Sequence, residues 1–77
     1  MTQFKLTQDQ IEKLTEFQRL SKEKKSHILE AVFNLEQRRL SGHEPSPDEI
    51  FNQLSATGHI EIGLACYVAQ LKKIKWS

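Results

Sequence analysis

Apolar residues recur along this chain at intervals of three and four, and no segment shows the alternating, β-branched pattern of a strand. Ile11, Leu14 and Phe17 or Leu20 form the first stripe. Thr7 and Gln10 have the spacing of a capping box, so a helix is predicted to begin at Thr7. Leu6 is placed to pack on Ile11 as a staple, and Phe4 to tuck beneath the start of this helix. Ser21 interrupts the pattern and can cap a second helix from about Lys22 to Leu40. Its stripe is broad: Ile28, Leu29, Val32, Phe33 and Leu35, with Leu40 as a further candidate. Neither Pro nor Gly lies between Leu20 and Lys25, so one continuous helix is the alternative. The run from Ser41 to Ser46 is the clearest loop, because Gly42 stops a helix and Pro45 biases Glu44 away from helical geometry.

The next stretch carries the strongest local signals. Ser46 is a good N-cap, Pro47 falls at the first helical position, and Glu49 completes a capping box. Ile50, Phe51 and Leu54 then share one helical face, and Gly58 supplies a residue that tolerates positive φ. A last helix is predicted to start near Glu61 and run towards Lys75. Two helices joined by a short glycine-containing turn are the outline of a helix-turn-helix. The pattern therefore predicts an all-α fold: a compact bundle of three to four helices containing a helix-turn-helix-like unit, with residues 1–77 as a single domain.

The last helix has no clear polar side. At about 100° per residue, Leu64, Tyr67, Val68, Leu71 and Ile74 fall together and are the expected core face. Ile62, Ala65, Cys66, Ala69 and Lys73 fall opposite, with Trp76 nearby. An outer face this small and apolar has two readings. It is a docking surface, for a partner helix or a DNA groove, or the helix is central and buried on both sides with Trp76 covering it.

At these residues the chain resembles the DNA-binding half of ferric uptake regulator-type repressors. The resemblance rests on Ser46-Pro47-Asp48-Glu49-Ile50-Phe51, Leu54, Gly58, Ile62-Gly63-Leu64-Ala65 and Leu71. Ile28-Leu29-Glu30-Ala31-Val32 upstream is similar to a further segment of that family. It spans roughly residues 25–74, and it implies a helix-turn-helix scaffold. Where the family carries a Tyr-Arg pair that approaches DNA, this sequence has Val68 and Ala69. The family's wing and metal-binding dimerisation domain are expected to be absent from a sequence ending at Ser77, and its metal ligands find no counterparts.

Charge and chemistry narrow the function further. The formal net charge is +1, with no single basic stripe of the kind that marks a dedicated nucleic-acid binder. Lysines and arginines are nevertheless clustered: Lys22, Lys24 and Lys25; Arg38 and Arg39; Lys72, Lys73 and Lys75. His27, His43, His59 and Cys66 match no familiar zinc spacing, so no metal or other cofactor is expected. Cys66 is the one cysteine and has no inferable base beside it; no catalytic pair stands out, and the chain is read as non-enzymatic with no small-molecule substrate. No leader and no membrane-length apolar run is found, so a reduced, cytoplasmic setting is expected.

Two functions fit this pattern. In the first, a regulatory module binds another protein, or a second copy of itself, through Ile62, Ala65, Cys66, Ala69 and Trp76. In the second, residues 61–75 form the recognition helix of a sequence-specific DNA-binding regulator. Gln70 would then read a base edge, and Lys72, Lys73 and Lys75 would hold phosphates. The missing Tyr-Arg pair, the missing wing and the balanced charge favour the first, while the family-like core and the Lys-rich end favour the second.

Overall fold

A computed structural model describes residues 6–76, so Phe4 and its expected position lie outside the described residues. It contains α1 (Gln8–Gln18), α2 (Lys22–Leu40), α3 (Pro47–Ser55) and α4 (Ile60–Leu71), and no strand among the described residues. The architecture is the predicted all-α bundle.

The helix starts follow from local side-chain chemistry. The Gln10 N–H donates to Thr7 Oγ1 at 3.1 Å, and the Thr7 N–H donates to Gln10 Oε1 at 2.9 Å. Ser21 Oγ accepts from the Lys24 N–H at 3.3 Å. Ser21 itself is extended (φ −63°, ψ 159°), which separates α1 from α2 without help from Pro or Gly. Before α3, the Glu49 N–H donates to Ser46 Oγ at 3.2 Å while the Ser46 N–H donates to Glu49 Oε1 at 2.8 Å. Arg38, in the last turn of α2, adds a solvent-exposed ion pair to Glu49 at 2.7 Å, linking the two helices. The Ser46 backbone N–H, then Arg38, hold the Glu49 carboxyl below the usual glutamate range. That contribution is present above the unfolded glutamate pKa and is lost as pH falls through the folded value. Ser46→Ala is expected to cost about 1 kcal/mol, read as a lower urea midpoint with an unchanged slope. Coincident midpoints would show that the cap carries no stability.

Gly42 (φ 93°) and Gly58 (φ 81°) supply the left-handed turns that end α2 and redirect the chain after α3. α4 begins at Ile60 and stops at Leu71, short of the predicted Lys75. Its end is made by Lys73, a non-glycine residue at φ 59°, and by the Ile74 N–H bonding back to the Ala69 carbonyl at 2.9 Å. This six-to-one closure terminates the helix without glycine. The remaining tail folds back, and Trp76 packs edge-on against Phe17 with ring centroids 5.2 Å apart.

α4 is the central element, packed against α1, α2 and α3. α1 joins the bundle chiefly through α4, whereas α2 also packs on α3. Phe17, Ile28, Val32, Leu35, Leu54 and Cys66 form the innermost layer. α3 comes close to α4 because residue 63 is glycine: a Cβ there would lie 2.9 Å from Leu54 Cδ2. Ile11, Phe33, Leu40 and Phe51, all read as stripe positions from the sequence, are exposed.

Candidate interaction surface

The face of α4 proposed from the sequence as a docking surface is turned inward. Ile62, Ala65, Cys66 and Ala69 are buried, and Trp76 is buried over the neighbouring cleft. The expected core face is correspondingly displaced, for Leu64 is 40% exposed and Leu71 38% exposed. Tyr67 alone of that set is fully buried, while Val68 and Ile74 are half-buried. Packing geometry explains the inversion. Small side chains at Ala65 and Ala69 let neighbouring helices approach α4 closely, and the larger residues are left at the open side. Neither reading of this helix holds in full: the small-residue face is buried with Trp76 as a cover, but the side carrying Leu64 and Leu71 is open.

Cys66 sits at the centre of this packing and is fully buried. Burial pushes its thiol up to about 12, so the neutral thiol is favoured at neutral pH. Burial, followed by the nearby Glu44 charge, also raises the Tyr67 phenol. Between the ordinary thiol value of 9.0 and about 12, the unfolded chain releases a proton that the folded chain retains. The native state then binds more protons, so stability falls as pH rises through this window. Urea midpoints measured from pH 7 to 11 are expected to decline above about 9, and Cys66→Ala to flatten much of the decline relative to its own neutral value. A parallel decline in the variant would place the effect elsewhere.

The residues expected to meet DNA are distributed differently from expectation. Gln70 Nε2 donates to Glu36 Oε1 at 2.7 Å, and Gln70 Oε1 accepts from Trp76 Nε1 at 2.8 Å. Both ends of its amide are thus engaged by other parts of the fold. Lys73 and Lys75 are exposed and border a cleft with Glu36, Ile74 and Trp76; Lys72 forms the C-cap of α4. His27 and His43 are exposed, on α2 and in the loop before α3, while His59 is half-buried ahead of α4. Among the described residues no three ligating side chains come together, and no helix is long and apolar enough to cross a membrane.

A different surface comes into view on the open side of the helix-turn-helix-like unit. Ile60, Leu64, Val68 and Leu71 follow one another up α4 at helical spacing and lie at its half-buried or exposed edge. On α3, Glu49 pairs with α2 and Gln53 borders the cleft with His27 and Asn34. Phe51, also on α3, is 55% exposed. Beside the stripe, Lys13 of α1 bonds Glu61 at 3.2 Å and Glu16 at 3.7 Å. The hydrogen bond to Glu61 is the main reason that the Lys13 ammonium is held above its usual value. A groove of about 380 Å³ runs along this α1–α4 seam, with Leu64, Ala65 and Val68 on one wall. Sequence reasoning missed this stripe because it assigned Leu64, Val68 and Leu71 to the core. The run of small residues one face away was the available signal.

Comparison with protein-family profiles, with curated proteins and with solved structures finds no match to this chain.

Proposed function

We propose that the chain is a non-enzymatic interaction module, regulatory in role, in which a helix-turn-helix-like scaffold docks onto another protein or onto a second copy of itself. The observation that carries this reading is the apolar stripe Ile60, Leu64, Val68 and Leu71 along the half-buried and exposed edge of α4. A helix in this position of a DNA-binding unit offers donors and cations to base edges and phosphates. Here it offers aliphatic side chains, with Glu61 at its head. Contiguous apolar surface of this kind is characteristic of protein contacts. The resemblance to ferric uptake regulator-type repressors fits a scaffold of that ancestry whose reading face has changed use.

The test pairs the parent chain with a Leu64→Asp/Leu71→Asp variant. Both side chains are partly exposed, so the variant is expected to keep its circular dichroism spectrum and most of its melting temperature. The parent is expected to self-associate in light scattering, or to retain one partner in a pull-down that the variant loses. Duplex DNA binding that weakens steeply with salt and persists in the variant would overturn the proposal in favour of the DNA-binding regulator.

A further inference from the structure

We propose that the groove between the end of α1 and the start of α2 binds a carboxylate-headed amphiphile, a single anionic head on an apolar tail. The groove has a volume of about 380 Å³ and is lined by Phe17, Gln18, Lys22, Lys25, Ser26 and Leu29. That volume lies in the range of small-molecule sites. Its lining is mostly apolar, with Phe17 buried at the base and Leu29 half-buried on the wall. From Leu29 the apolar track continues one helical turn to Phe33, which is 44% exposed.

The charges at one end of this track select the sign of the ligand. Among the described residues, Lys22 and Lys25 have no carboxylate partner, whereas Lys13 and Arg38 do. Lys25 Nζ instead hangs over the Phe17 ring, 5.9 Å from its centroid. Both lysines stand in the first turn of α2, where positive charge opposes the helix dipole and only Glu23 offsets it. An anionic head placed between the two ammonium groups would relieve that repulsion through charge-assisted hydrogen bonds. An apolar tail would then lie along Leu29 towards Phe33.

Trp76 is the sole tryptophan and packs against both Phe17 and Phe33, so its emission reports on this region. The full chain is titrated with decanoate, with decyltrimethylammonium as a tail of similar length and opposite charge, and with phosphatidylglycerol vesicles. All soluble probes are kept below micelle formation. Decanoate is expected to shift Trp76 emission and the Ser26 and Leu29 amide resonances, and decyltrimethylammonium to do neither. Lys22→Glu/Lys25→Glu is expected to weaken decanoate by at least about tenfold and to create a response to the cation. Thermal melting of the double variant confirms that it is folded; if it is not, Lys22→Gln and Lys25→Gln are titrated singly, and each is expected to weaken decanoate. Equal responses to both probes, an unchanged decanoate response in the variants, resonance shifts confined to α4, no decanoate response, or a response to vesicles alone would each overturn the assignment.

Discussion

Ala69→Arg is expected to unfold the chain. Ala69 is fully buried on the face of α4 that the other helices surround. Arginine there adds volume to a packed interior and a charge with no partner designed for it. An uncompensated buried charge costs about 3–5 kcal/mol, before overpacking is counted. A domain of this length has a total stability of roughly 4–12 kcal/mol. Loss of the cooperative melting transition, with a collapsed near-ultraviolet circular dichroism signal, is the expected readout. A variant that melts like the parent would mean that Ala69 faces solvent and that the packing of α4 described above is wrong.

Trp76→Ala has the second largest expected effect, about 3–5 kcal/mol by urea denaturation. The indole is buried against Phe17 and Phe33, and its Nε1–H supplies one of the two bonds to Gln70. Its own carbonyl accepts from Gln18 Nε2 at 2.7 Å, pinning the tail to α1. Truncation removes the cover from Phe17 and opens a cavity at a junction of α1, α2 and α4. Leu71→Ala makes the comparison: at 38% exposure it is expected to cost no more than about 1 kcal/mol. The sequence reading, which set Leu71 in the core, implies several times that. Equal losses for the two variants would restore Leu71 to the interior and demote the tail.

What was legible in the sequence depended on how local the determining contact was. The boxes at Thr7/Gln10 and Ser46/Glu49 form between residues three apart, so spelling and structure coincide. The break between α1 and α2 was open, because Ser21 can cap a helix and can equally sit within one. The direction of α4 was not legible. Its apolar residues are spread around the whole circumference, and the choice of face belongs to helices that arrive from elsewhere in the chain. The course of residues 72–76 was hidden for a related reason. No glycine or proline marks the stop, and a lysine adopts the left-handed turn instead. Gln70 read as a base contact on spacing, yet its partners, Glu36 and Trp76, come from other parts of the fold.

The placement of α4 at the centre also sets the timing of events on the ribosome. α1 is made before α4, on which it chiefly packs. About forty residues separate the end of α1 from the start of α4. At roughly 5–20 residues per second, that is an interval on the order of 2–8 s. Throughout it the stripe on α1 has no native surface to cover it, and α2 and α3 lack the helix that Leu54 closes upon. The nascent chain is therefore exposed to chaperones and proteases until α4 emerges, and the bundle is closed by its central helix rather than built outward from α1.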